Sequence, residues 1–307
     1  PIGKWNDLAL LYGLSGAISL LALSSLSPRG VIRSLLFAVF GLSLALLFVA
    51  NFSLAWGLFA FSAVAILGFI LMTRRGTISS KTVPTTTPLL RPRYHIPLLP
   101  LASAIIAIIF LLPGNNLADS VGGRLGFSNI EVRPSWSATF DVVKASVKEN
   151  PSLGVGPNRF ADAWLMLKPD GVNGTLFWNT EFEQGIGLIP STLVTISILG
   201  TLLWLFFFLS FVRAGIRATF VPRENTHTTT LLFCSFLAAV YLFLAMILYV
   251  PGAALVILAF LFGGVTVGMI ARESSVHEKT FIFAENPRIG FISVLMLVVV
   301  LIFSAVG

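Results

Sequence analysis

The sequence has few charged residues and only one cysteine, and both shortages limit the kinds of protein that it can encode. Charged residues make up 11% of the 307 residues, whereas about 25% is usual for a soluble domain. Hydrophobic residues reach 56% and include 27 phenylalanines, more apolar surface than one soluble core of this size can hide. This composition excludes a soluble fold and predicts an integral membrane protein. The lone cysteine, Cys234, excludes an intrachain disulfide and a cysteine-based metal site.

In place of charge, the chain has long apolar runs. Eight of them are long enough, at about 1.5 Å per residue, to cross a hydrocarbon core of roughly 30 Å. The runs cover residues 8–25, 32–50, 54–73, 96–113, 187–211, 230–249, 252–271 and 289–306. We therefore predict an all-α, polytopic transmembrane helix bundle of about eight spans. Four-helix halves at 1–113 and 187–307 would flank one large, partly helical loop at 114–186.

The chain begins with Pro1 and has no signal peptide of the usual basic and apolar pattern. We therefore expect it to be an internal portion of a longer protein, with further spans before residue 1.

Basic residues are unevenly distributed among the predicted loops. The loops at 26–33, 74–95, 212–229 and 272–288 hold 13 of the 20 lysines and arginines and only four acidic residues, whereas loop 114–186 holds six basic and eight acidic residues. With eight spans the four basic loops share one side, which the positive-inside rule makes cytoplasmic. The N-terminus and loop 114–186 are then extracytoplasmic. Topology accounts for the net charge of +7, so we expect membrane lipids, and no nucleic acid, as partners.

Several kinds of site are missing from the sequence. The predicted spans contain almost no ionisable side chain, which disfavours an ion-coupled transporter because such proteins usually bury carboxylates or histidines at mid-membrane. A lipid or glycan transporter is therefore the third hypothesis. There is no GxxxxGK[ST], HExxH or G-x-S-x-G motif, and we expect no cofactor and no metal. The three histidines, His95, His227 and His277, fall in predicted cytoplasmic loops.

Chemistry is therefore expected in loop 114–186. Arginine suits phosphate groups because its planar guanidinium can bind two oxygens at once. The candidate anion-binding residues are Arg124, Arg133, Arg159 and Lys168, and the candidate bases are Asp162, Asp170, Glu181 and Glu183. Each arginine could instead be a headgroup anchor or a surface ion pair. Trp164 and Trp178 suit an aromatic belt at the membrane interface.

One segment of this loop has a helical pattern. Trp136, Phe140, Val143 and Val147 recur at intervals of four, three and four, while Asp141, Lys144, Lys148 and Glu149 fall elsewhere. This spacing predicts an amphipathic helix whose four apolar residues pack and whose charged face is wet. The helix should stop at Asn150-Pro151, on or beside the membrane surface.

The segment around this helix contains, in order, Arg133, Trp136, the helix itself, Asn150-Pro151-Ser152-Leu153-Gly154-Val155-Gly156-Pro157 and Phe160. This order resembles the large outer loop of the O-antigen ligase/polymerase superfamily. Gly3-Lys4-Trp5-Asn6-Asp7-Leu8-Ala9 is similar to a second pattern of that family. The resemblance covers roughly residues 1–210. It implies a GT-C-like fold in the bacterial inner membrane and metal-independent transfer of a glycan from undecaprenyl pyrophosphate to an acceptor hydroxyl on the outer face.

The resemblance also implies roles for particular residues. Arg133 matches the family's loop arginine and would bind the pyrophosphate, with Arg124 and Arg159 as further candidates by proximity in sequence. Trp136, Pro151, Gly154, Gly156 and Asn6 are motif residues with structural roles. These expectations leave the sugar, the acceptor and the choice between ligase and polymerase open.

The chain departs from the family at one position. The family histidine, which is proposed to activate the acceptor, would fall at Ile186, and Glu181 or Glu183 becomes the candidate base. The alternative hypothesis is a non-catalytic membrane module of the same fold that binds glycolipid or acts as a scaffold. A soluble repeat domain outside these residues would then be a possible partner.

Overall fold

The structure is a computed structural model that describes residues 4–26, 28–79, 97–112, 132–175, 177–221, 226–273 and 287–306. These residues form helices joined by turns and contain no strand. The helices are α1 (Trp5–Ser25), α2 (Gly30–Ala50), α3 (Ser53–Ser79), α4 (Leu98–Leu111), α5 (Trp136–Glu149), α6 (Phe160–Leu167), α7 (Asp170–Asn173), α8 (Leu188–Thr195), α9 (Ser197–Thr219), α10 (Thr226–Leu248), α11 (Ala253–Glu273) and α12 (Pro287–Val306). The predicted all-α class is confirmed.

Six helices in the described part of the chain are long and apolar enough to cross a membrane. They are α1, α2, α3, α9, α10 and α11. The apolar helix α4 has 14 residues, about 21 Å at 1.5 Å per residue, which is less than a typical hydrocarbon core. Length and composition thus indicate a multi-pass membrane protein, and the total of eight spans stays a prediction.

The predicted run at 187–211 is two helices. Helix α8 ends at Thr195 and α9 begins at Ser197, whose φ of 56° lies in the left-handed region. Apolar periodicity missed this break because the residues on both sides of it are apolar. Helix α9 also continues to Thr219, so Arg213 and Arg217 lie in a helix and not in the predicted loop 212–229.

Contacts within the chain form two compact units. The first, called the membrane unit below, comprises Pro1–Val132 and Phe208–Met269; the second, called the loop unit, comprises Arg133–Phe207 and Ile270–Gly307. In the membrane unit α1 packs against α2, α3 and α10, and α3 packs against α4 and α10. The division at 113 and 186 stays a prediction.

Aromatic stacking and close helix approach hold the membrane unit together. The rings of Trp56 and Phe110 stack with centroids 4.6 Å apart, and those of Phe69 and Phe233 lie 4.2 Å apart. The hydroxyl of buried Tyr241 donates to the Leu10 carbonyl over 2.9 Å. This bond joins α10 to α1 where Gly13 leaves room for the phenol, since a Cβ at Gly13 would lie 2.3 Å from the Tyr241 hydroxyl oxygen.

The start of α1 is tied to the start of α11. Asn6, a motif residue, and Asp7 are both buried in the first turn of α1. The Oδ2 atom of Asp7 accepts a hydrogen bond from the Gly252 N–H over 3.0 Å, immediately before Ala253 begins α11. A carboxylate at a helix N-terminus satisfies a backbone donor that has no partner within the helix, and it interacts favourably with the helix dipole.

Replacing Asp7 with alanine should lower the free energy of unfolding by about 1–2 kcal/mol, because the N–H before α11 loses its acceptor. Asp7→Asn keeps an acceptor oxygen and should cost less than Asp7→Ala. Thermal unfolding of both variants in the same detergent would measure the difference. Equal midpoints for wild type and Asp7→Ala would contradict a capping role.

Candidate functional site

Helix α5 forms the predicted segment of the loop unit. It begins at Trp136, where the Oγ atom of Ser135 accepts a hydrogen bond from the Ala138 N–H over 3.1 Å, a standard N-cap. It ends at Glu149, before Asn150-Pro151. Proline lacks an N–H and disfavours helical geometry in the residue before it, which explains this end. The predicted helix and its predicted stop are both confirmed.

The buried face of α5 differs from the predicted one. Ala138, Thr139, Val142, Val143 and Ser146 are buried, so small and weakly polar residues provide most of the contact surface. In contrast, Trp136 is 50% and Phe140 43% exposed. The predicted packing of Trp136 and Phe140 into the core is wrong, whereas that of Val143 is confirmed.

The two exposed rings lie against each other. The centroids of Trp136 and Phe140 are 5.9 Å apart, and the ring planes differ by 19°. The pattern of large apolar residues was misleading because small side chains let α6 and α8 approach α5 closely, which large ones would prevent. The stacked pair is consequently left on the outside of α5.

Helices α5, α6 and α8 enclose a small hydrophobic core. Its most buried members include Val142, Phe160, Trp164 and Val194. Trp164 is 1% exposed, and its ring meets that of Phe182 edge to face at 5.1 Å. The prediction that Trp164 belongs to an interfacial belt is therefore wrong. For Trp178, which is 58% exposed, the belt stays a prediction.

The glycine turn that follows α5 closes onto the end of α8. The N–H of Val155 donates to the Val194 carbonyl and the N–H of Gly156 donates to the Thr195 carbonyl, each over 3.0 Å. The last carbonyls of a helix have no partner within it, so the turn caps α8. Gly154, at φ 70°, passes so close that a Cβ would lie 2.6 Å from the Val194 oxygen.

Ser197 completes this contact from the other side. Its hydroxyl lies within hydrogen-bond distance of the carbonyls of Asn150, at 3.1 Å, and Pro151, and Ser146 donates to the Val194 carbonyl over 3.3 Å. We call residues 150–157 and 194–197 the turn junction. It fixes the C-terminal end of α5 to the first residue of α9. Sequence reasoning missed Ser197, although the polar residues within the apolar run 187–211 were a signal.

The predicted anion-binding residues have different surroundings. Arg133 is exposed just before α5. Arg159 and Asp162 form an ion pair, with Nε and Oδ2 3.0 Å apart and both side chains more than half exposed, and such a pair contributes little to stability. The ammonium of Lys168 donates to the Trp178 carbonyl. Arg124 lies outside the described residues.

Glu181 and Glu183 are both exposed, and Phe182 between them is half-buried against the core. The segment is anchored two residues later, because the N–H of buried Gly185 donates to the Ser191 hydroxyl over 2.9 Å. Ile186, at the family histidine position, follows and is half-buried.

Chemically, the loop unit presents a fixed surface with an exposed arginine and two exposed carboxylates. Within the described residues, no three histidine, cysteine, aspartate or glutamate side chains are grouped so that they could hold a metal ion. Comparisons of the chain with protein-family models, with curated proteins and with solved structures found no match.

Proposed function

We propose that this chain is a membrane glycosyl-transfer protein of the O-antigen ligase/polymerase type. It would move a glycan from undecaprenyl pyrophosphate to an acceptor hydroxyl on the outer face of the bacterial inner membrane. The observation that supports this proposal best is the turn junction. One half of it, residues 150–157, consists of motif residues that carry the family resemblance, and it fixes α5 to the start of the apolar helix α9. A loop held at the end of an apolar helix is consistent with a substrate that is anchored in lipid.

In the proposed reaction the acceptor oxygen attacks the anomeric carbon of the lipid-linked sugar, and the bond from that carbon to the pyrophosphate oxygen breaks. Negative charge grows on the departing pyrophosphate and is stabilised by a guanidinium group held nearby. Arg133 is assigned this role because it is exposed at the start of α5. Arg159 is the second candidate, and it forms an ion pair with Asp162.

The acceptor proton has to go to a base, and the proposal gives this role to Glu181 or Glu183. Both are exposed on a segment held in place by Phe182 and Gly185. A carboxylate that takes the proton as the new bond forms would act as a general base. The reaction needs no redox step.

Arg133→Ala tests the proposal. We expect transfer to fall by about 100-fold or more, the usual cost of removing one group that stabilises developing negative charge. The assay would use the full chain in proteoliposomes with undecaprenyl-pyrophosphate oligosaccharide and an acceptor glycan. Arg159→Ala is the matched control and should cost much less. Unchanged transfer by Arg133→Ala would contradict the proposal.

A second function is favoured by Ile186 at the histidine position and by the exposure of both glutamates. The chain would then bind glycolipid, or act as a scaffold, without catalysis. The double variant Glu181→Gln/Glu183→Gln separates the two functions. It should lose transfer but keep carrier binding if the chain is an enzyme. If wild type binds the carrier and forms no product, the second function is correct. Carrier movement across the bilayer without transfer would support the transporter hypothesis.

A further inference from the structure

The exposed side of α5 combines aromatic rings with lysines. Trp136 and Phe140 stack there, and Lys144 and Lys148 follow Phe140 by four and eight residues, so they lie on the same side of the helix. Both lysines are exposed. Of the acidic residues of α5, Glu149 is rotated from Phe140 by about 180°, and Asp141 is rotated by about 100° and lies at the edge of this side next to Lys148. We call the side bearing Trp136, Phe140, Lys144 and Lys148 the exposed stripe.

The turn junction fixes how far the C-terminal end of this stripe is from the membrane. Ser197, whose hydroxyl contacts the carbonyls that follow α5, is the first residue of α9. That helix has 23 residues, about 35 Å, against a hydrocarbon core of roughly 30 Å. The start of α9, and with it the C-terminal end of α5, therefore lies close to the membrane boundary. Leu153, in the turn itself, is exposed at the same place.

We infer that the exposed stripe is a membrane-docking surface whose partner is the anionic headgroup layer of a phospholipid leaflet. Tryptophan and phenylalanine are the residues that enter the headgroup region, and lysines beside them attract anionic lipids. A half-exposed stacked aromatic pair is unfavourable in water, and it reaches this layer if α5 lies along the membrane surface from its C-terminal end. This inference does not depend on the proposed function.

The test uses spin labels on the full chain in nanodiscs. Cys234 is the one cysteine in the sequence, so Cys234→Ser gives a background for single cysteines at Phe140→Cys and, as the matched control, Asp141→Cys. Both positions are exposed, so neither change disturbs the core. In phosphatidylglycerol nanodiscs, the label at 140 should be relaxed mainly by oxygen, which concentrates in lipid. The label at 141 should be relaxed mainly by a water-soluble nickel chelate.

The lysines should be needed for this contact. Each lysine near an anionic surface favours docking by about five-fold, so Lys144→Gln/Lys148→Gln should shift the docking equilibrium by roughly 30-fold. The label at 140 should then become water-exposed, as it should in nanodiscs of neutral phosphatidylcholine. If neither the lysine substitutions nor the neutral lipid reduced lipid contact, anionic lipid would not be the partner. Two water-exposed labels in phosphatidylglycerol would overturn docking, and shielding of residue 140 only on adding a soluble oligosaccharide would assign the stripe to a glycan instead.

Discussion

Replacing Gly154 with alanine should open the turn junction. The backbone there has a φ of 70°, and an added Cβ would lie 2.6 Å from the Val194 oxygen and 2.7 Å from the Thr195 oxygen. These backbone atoms belong to the carbonyl groups that the turn caps, so relieving the clash breaks the bonds from Val155 and Gly156. The left-handed conformation costs about 1–2 kcal/mol for an L-residue, and two lost hydrogen bonds add about 1–3 kcal/mol. Together they should destabilise the loop unit by about 2–5 kcal/mol.

Hydrogen exchange of the purified protein in nanodiscs would measure this effect locally. The amides of Val155 and Gly156 should exchange at least about 30-fold faster in Gly154→Ala than in wild type. Gly171→Ala is the matched control, because that glycine lies in the same unit with nothing within 4 Å of an added Cβ. If the two variants exchange alike, the close approach at Gly154 does not stabilise the loop.

The turn junction also shows which contacts the sequence alone could predict and which it could not. Residues 150–157 were identified from their order of asparagine, proline and glycine, because glycine and proline restrict backbone geometry in ways that sequence displays directly. Their partners were not identified. The turn binds the backbone carbonyls of Val194 and Thr195, and the side chains of these two residues give no sign of that role. Ser197 lies within an apolar run that predicted a single continuous span. A backbone contact across about 40 residues depends on packing that composition and periodicity do not encode.

The candidate site was predictable to a similar degree. The sequence placed Arg133 at the start of a surface helix and Glu181 and Glu183 in the same loop, and these three side chains are exposed. It could not show that Arg159 is paired with Asp162, nor that Lys168 is held by a backbone carbonyl. Both contacts depend on the exact turn geometry around α6. Burial was the least predictable property, since Trp136, which was expected to pack, is 50% exposed and Trp164, which was expected at the membrane interface, is 1% exposed.

Substitutions at Trp164 and Trp178 measure the difference between a buried and an exposed tryptophan. Trp164→Ala should destabilise the loop unit by about 3–5 kcal/mol, because it leaves a large cavity among α5, α6 and α8. Trp178→Ala removes a ring that is 58% exposed and should change stability much less. Trp164→Phe should fall between them. It keeps most of the apolar volume and sacrifices no hydrogen bond, since the indole Nε1 has no partner among the described residues.

Hydrogen exchange of the buried α5 amides measures the order of stability of these three variants. Tryptophan fluorescence is unsuitable because the substitutions themselves alter it. Exchange should accelerate at least about 100-fold in Trp164→Ala, by an intermediate factor in Trp164→Phe and hardly at all in Trp178→Ala. If the alanine variants at 164 and 178 exchanged equally, Trp164 would not be a core residue. A position in a membrane-interface belt would then be favoured instead.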